Sequence, residues 1–247
     1  MRIIVTNDDG IYSPGILALA EVASRFGEVR IVAPDVEQSS MGHAVTASRP
    51  LKYRRTERDG CEAYRVDGTP ADCVALGAFH WEGVGAVLSG INLGLNLGNA
   101  MWHSGTLAAA KQASLLGIQG IAVSAPTDPE PDYARLVPHV EEALRHVVGD
   151  EDLPLVNINL PAEPRGLYWT RQSVRLYDGH VVPGHDPKGR EHFWFTVRPL
   201  EPAEEGTDRW AVEHGCVSMT PLRLDLTDHQ TLRLAAARHP TPETAGQ

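Results

Sequence analysis

The stretch Arg2-Ile3-Ile4-Val5-Thr6-Asn7-Asp8-Asp9-Gly10 constrains the fold more than any other part of the chain. Ile3-Ile4-Val5 is a β-branched run with no polar alternation, the pattern of a strand buried on both faces of a parallel sheet. Comparable runs recur at Val29-Arg30-Ile31-Val32-Ala33, Ala86-Val87-Leu88, Ile121-Ala122-Val123 and Leu155 to Leu160. Helical spacing fills the intervals. Ser13-Pro14 reads as an N-cap followed by proline at the first helical position, and Ile16, Leu19, Ala20 and Ala23 repeat at helical intervals up to Phe26-Gly27. Thr69-Pro70 opens a helix through Phe79, Ser104-Gly105-Thr106 opens an alanine-rich helix over Leu107 to Leu116, and Tyr133 to Val148 forms another. Strands joined through helices in this way lie parallel with right-handed connections. The class is α/β with a mostly parallel sheet.

Asp8 and Asp9 fall at the carboxyl end of the first strand, where ligands bind in such sheets. Neighbours on an extended strand point to opposite faces, so the two carboxylates converge only if the chain has already turned, which Asn7 and Gly10 permit. On these residues alone an acidic turn fits as well as a metal site. Two more loops leave strand ends: Pro34 to Ser48, which carries Ser39-Ser40, and Ser89-Gly90-Ile91-Asn92. The three loops together offer two carboxylates, a hydroxyl and an amide oxygen. These are hard oxygen donors suited to Mg²⁺ or Mn²⁺ and poorly suited to zinc. The helix start at Ser104-Gly105-Thr106 presents free N–H groups and a positive dipole end, an anion site beside a cation and otherwise an ordinary cap. His43 and His103 sit in loops facing the same region, where each could move a proton, stack on a base or serve only as a loop residue. Lys111 lies two turns into its helix and reads as solvated, and Met101 and Trp102 read as core flanking the helix.

Several chemistries are excluded. There is no GxxxxGK[ST], no GxGxxG at the first turn and no GxSxG elbow. Adjacent aspartates differ from the DxD spacing of phosphatases that form an aspartyl-phosphate, which leaves that route as the weaker alternative. A nucleotide-binding or regulatory oligomer without turnover is the alternative from another class. A net charge of -10 argues against binding a nucleic-acid polymer. Cys61, Cys73 and Cys216 follow no metal spacing and read as reduced thiols. With no leader pattern and no apolar run of membrane-spanning length, the expectation is a cytoplasmic protein with no membrane association. Beyond Pro161-Ala162-Glu163-Pro164 the composition changes. His192 to Val197 alternates like an antiparallel strand, Tyr177 to Arg190 reads as an extended loop, Thr207-Asp208 caps a short helix to His214, and Cys216 to Met219 reads as a strand. The tail after Arg238 reads as frayed.

Asn7-Asp8-Asp9-Gly10, Ala33-Pro34-Asp35, Gly68-Thr69-Pro70-Ala71-Asp72-Cys73, Ser89-Gly90-Ile91-Asn92 with Asn96, Ser104-Gly105-Thr106 and Ser218-Met219-Thr220-Pro221-Leu222 occur in this order and strongly resemble the survival protein SurE family, metal-dependent 5'/3'-nucleotidases. The resemblance implies a Rossmann-like three-layer α/β/α core over residues 1–161. It also implies a C-terminal part over 162–247, with a projecting hairpin and an exchanged segment used in homodimers or homotetramers. It implies one divalent ion per subunit, Mg²⁺ or Mn²⁺, at Asp8, Asp9, Ser39 and Asn92, and phosphate contacts from Asn96, Ser104, Gly105 and Thr106. The expected activity is hydrolysis of nucleoside 5'-monophosphates, extending to 3'-monophosphates or short polyphosphate, with Asp8 and Asp9 as the catalytic carboxylates. Gly42, His43 and His103 are the candidates for the nucleoside pocket.

Overall fold

The computed structural model describes residues 1–127, 131–174, 178–198 and 202–238. In chain order, its first half contains β1 (Arg2–Thr6), α1 (Pro14–Ala23), β2 (Glu28–Pro34), β3 (Tyr53–Arg58), β4 (Cys61–Val66), α2 (Pro70–His80) and β5 (Val84–Leu93). A 3-10 turn over Gly98–His103 leads into α3 (Gly105–Leu115), followed by β6 (Gln119–Ala125), α4 (Tyr133–Arg145) and β7 (Leu155–Asn159). The remainder is β8 (Leu167–Trp169), β9 (Asp178–His185), β10 (Glu191–Arg198), α5 (Asp208–Glu213), β11 (Val217–Pro221) and α6 (His229–Arg238).

Nine strands form one sheet in the order β3-β4-β2-β1-β5-β6-β7-β11-β8. From β4 to β7 every neighbour pair is parallel, while β3 and β11 join antiparallel. The unbroken apolar run of β1 has its cause here. Ile3 and Val5 pack on one side with α1 and α4, and Ile4 packs on the other with Val32, Val74, Val87 and Ala109, the last from α3. Both faces are covered, so hydrophobic burial drives the assembly from each side. The α/β class expected from the sequence is the one observed.

Topology fixes the place of the site. The chain moves from β1 to β2 on one side and returns to β5 on the other, so β1 lies at the point where strand order reverses.

Three elements differ from the sequence reading. Ser89-Gly90-Ile91-Asn92 is not a free loop: β5 continues to Leu93, with an irregularity in its register against β6 between Ser89 and Asn92. Ile91 is fully buried, which holds the segment in the sheet, and a Cβ on Gly90 would lie 2.1 Å from the Val123 carbonyl oxygen. The segment from 178 to 185 is not a loop but β9, paired antiparallel with β10 as a separate two-stranded sheet. Tyr177 lies outside the described residues, as does the tail after Arg238. Finally, β8 lies parallel to β11 and both extend the main sheet, so the region after residue 161 is not purely antiparallel.

Candidate metal and phosphate site

Three chain segments end together at the carboxyl edge of the sheet. At the end of β1, Asn7 turns the chain by donating from Nδ2 to the Gly10 carbonyl at 3.0 Å and to Ser13 Oγ at 2.6 Å. Gly10 completes the turn with φ of +94°, a conformation in which a side chain would be strained. The loop after β2 is tied back onto this turn. Ile11 N donates to the Pro34 carbonyl at 2.9 Å and Gln38 N to the Asp8 carbonyl at 2.7 Å, which sets Ser39 beside Asp8. Asp8, Ser39, Asn92, Asn96, His103 and Ser104 all line one cavity of about 500 Å³. That is room for a nucleotide-sized ligand.

Asp8 is only 4% exposed, and its Oδ1 accepts from Thr106 Oγ1 at 2.7 Å. Helix α3 approaches this closely because residue 105 has no side chain. A Cβ there would lie 2.8 Å from Asp8 Cβ and 2.9 Å from Asp8 Oδ2. Burial pushes the Asp8 carboxyl above its ordinary value, against the pull of the Thr106 hydrogen bonds. Asp9 accepts from Leu93 N at 3.2 Å, and its carboxyl is pushed up to about 6, first by burial and then by the charge of Asp8. Among the described residues, no lysine, arginine or histidine forms an ion pair with either carboxylate.

A buried carboxylate beside a half-buried one, with no protein cation among the described residues, is costly unless protonated or neutralised by a ligand. Among the described residues no group of three or more His, Cys, Asp or Glu could hold a metal ion. A cation here would rest on the carboxylates of Asp8 and Asp9 supplemented by neutral oxygens. Asn92 commits its Nδ2 to the Gly94 carbonyl at 2.6 Å, leaving its amide oxygen as an acceptor. Ser39 Oγ donates to Glu37 Oε1 at 2.7 Å and keeps its lone pairs. This all-oxygen set fits Mg²⁺ or Mn²⁺.

The back wall is a buried polar network. Asn96 donates from Nδ2 to Ser124 Oγ at 2.8 Å and to Thr106 Oγ1 at 3.3 Å. Its backbone is gripped from β7: Asn96 N donates to Asn159 Oδ1 at 2.8 Å, and Asn157 Nδ2 donates to the Asn96 carbonyl at 2.8 Å. Thr106 is fully buried and spends its hydroxyl hydrogen on Asp8. Ser104 caps α3 by accepting from Leu107 N at 3.0 Å and also faces the cavity.

Some expected residues stand elsewhere. His43 Nε2 lies 3.0 Å from Gln112 Oε1, and the ring lines a separate cavity with Trp102 and Lys111. Gly42 does not line the cavity either; its N–H donates to the His103 carbonyl at 3.0 Å. Met101 is core as expected, but Trp102 is 55% exposed, with Lys111 Nζ 5.5 Å from its ring centre. The six-residue 3-10 turn before α3 buries every third residue, Gly98 and Met101, which leaves Trp102 and His103 exposed.

Sequence reasoning also missed residues. Phe195 of β10 lines the same cavity as Asp8 although almost two hundred positions separate them, a juxtaposition that no local pattern marks. Asn157 and Asn159 did carry a signal. They alternate with Val156 and Ile158 in a strand buried throughout, and buried asparagines need partners.

Comparison with known proteins shows the family and the fold. Residues 3–179 match the family model described as Survival protein SurE. The 5'-nucleotidase SurE 1 of Thermus thermophilus is 48% identical over 236 residues, covering 93% of this chain and 94% of that protein. The 5'-nucleotidase SurE of Deinococcus radiodurans is 42% identical, with 92% of this chain and 88% of that protein covered. The crystal structure of the SurE protein from Aquifex aeolicus superposes with a TM-score of 0.82 at 37% identity, over 96% of this chain and 99% of that one. The chain belongs to the survival protein SurE family.

Proposed function

We propose that the protein is a phosphomonoesterase that releases phosphate from nucleoside 5'-monophosphates and depends on one divalent cation, Mg²⁺ or Mn²⁺, per subunit. One observation carries the reading: buried Asp8, with half-buried Asp9 next to it and no ion-pair partner for either among the described residues, lines a nucleotide-sized cavity that Ser104 at the start of α3 also lines. The relatives' name, 5'-nucleotidase, supports the substrate class. The proposal extends to 3'-monophosphates and short polyphosphate, which present the same terminal phosphate.

Asp8, Asp9, Ser39 and Asn92 would hold the cation. When bound, it supplies Lewis-acid stabilisation at a phosphoryl oxygen and lowers the pKa of a water. Thr106 fixes the Asp8 carboxylate, and Asp9, the less buried of the pair, takes the proton from the attacking water. Ser104 and the Gly105 amide at the start of α3 face the equatorial oxygens, where charge develops as phosphorus is attacked in line. Asn96 joins them by giving up its longer bond, the one to Thr106.

The test is phosphate release from a panel of 5'- and 3'-monophosphates and polyphosphate after chelation, with and without added Mn²⁺. Release that requires the cation is expected. Asp9→Asn is expected to lower it on the order of 10²-fold or more while leaving the fold intact. Metal-independent release, or wild-type activity in Asp9→Asn, would overturn the assignment.

A further inference from the structure

We infer that Phe195, on the hairpin formed by β9 and β10, is the stacking platform for the substrate's base and thereby a determinant of nucleotide affinity. The inference rests on the phosphate assignment above and extends it to the other end of the substrate. Phe195 lines the same cavity as Asp8, Asn92, Asn96 and Ser104, yet its ring remains 69% exposed. A phenyl group neither donates nor accepts a hydrogen bond, so beside this polar group it has nothing to offer a phosphate. What it offers is a flat apolar face.

Hairpin register explains why this residue and not its neighbours. Phe195 pairs with Val181 and Phe193 with Pro183, so these four share one face of the ribbon, while Trp194 and Val182 share the other. Phe193 stands two residues nearer the tip and does not line the cavity, and Trp194 faces away with His192 against its edge, ring centres 6.0 Å apart. The cavity lining also includes Leu93, the last residue of β5, and Leu95 just beyond it, and Leu93 is 44% exposed. Apolar side chains and polar anion-binding groups in one cavity match a molecule that is flat and aromatic at one end and charged at the other. A nucleoside monophosphate has that form. Stacking of this kind tolerates every base and favours purines through their larger surface.

The experiment compares adenosine 5'-monophosphate with ribose 5-phosphate, which keeps the sugar and phosphate but lacks the base. Both kinetics and calorimetric binding are measured, for the wild type and for Phe195→Ala, Phe195→Tyr and Trp194→Ala. Phe195→Ala is expected to raise KM and Kd for adenosine 5'-monophosphate about ten-fold or more, with kcat little changed. The same variant should change the ribose 5-phosphate values by less than about two-fold, on the same stacking argument. Phe195→Tyr should restore nucleotide affinity, and Trp194→Ala should retain it. An equal loss on both substrates, an undiminished nucleotide affinity in Phe195→Ala, or a comparable loss in Trp194→Ala would overturn the inference. Absence of turnover in the wild type would instead sink the nucleotidase reading, and the binding measurements would still decide the role of Phe195.

Discussion

Gly105 is the residue on which the spacing between α3 and the carboxylates depends. Alanine there would place its methyl 2.8 Å from Asp8 Cβ and 2.9 Å from Oδ2, so helix or carboxylate must shift. Gly105→Ala is expected to cost about 1–3 kcal/mol in denaturant unfolding and to weaken metal binding in the same variant. Unchanged stability and metal affinity would show that the gap closes without consequence. Asp9 supplies a second prediction. Its carboxyl stands near 6 in the folded chain against an ordinary 3.8, so the folded state binds the proton more tightly than the unfolded one. The metal-free protein therefore loses stability as pH rises between those values. A divalent cation needs the ionised form, so Mg²⁺ should raise the Tm more above pH 6 than below it, and Asp9→Asn should flatten that difference. Equal Tm increments on both sides would remove Asp9 from the ligand set. Asp8 and Asp9 were legible in the sequence because a two-sided buried strand fixes where its carboxyl end lies. His43 was not, because its loop turns the ring toward Gln112, a choice made by packing.

Among the elements, those with a local cause were readable and those formed by pairing were not. Proline and capping residues mark α1, α2 and α3, and Thr69 with Asp72 completes a reciprocal cap at the start of α2. β9 contains Gly179, Pro183 and Gly184, poor strand residues in isolation, yet its register with the alternating β10 holds it extended. The 3-10 turn that delivers Ser104 depends on a distant partner as well. Asp208, at the start of α5, is fully buried and accepts from Gly98 N at 2.8 Å and from Ser173 N at 2.9 Å. Asp208→Ala strands two buried N–H groups, at on the order of 1–3 kcal/mol each. Beyond lower stability, we expect slower phosphate release, because the turn before α3 loses its anchor. If the variant unfolds at lower denaturant but keeps full kcat, the anchor serves the fold alone.

At the scale of the whole molecule, α6 stands apart from the core, as the β9–β10 hairpin does. No residue of His229–Arg238 is buried, and Leu232 and Leu234 are 54% and 53% exposed. A helix this short is marginal in water without tertiary packing, so we expect the surface of another chain to stabilise it. No apolar stripe marks it in the sequence, whereas the resemblance of the chain's motifs implied a C-terminal segment exchanged between subunits. A second copy of the chain is the partner we expect. The main sheet ends its antiparallel pairing at Pro221, before α6 begins, so the core has no need of the helix. Light scattering should therefore give a dimer or tetramer for the full chain and a smaller species for a chain ending at Thr227, with cooperative unfolding retained in both. A monomeric full-length protein, or a shortened chain that still assembles fully, would take α6 out of the interface.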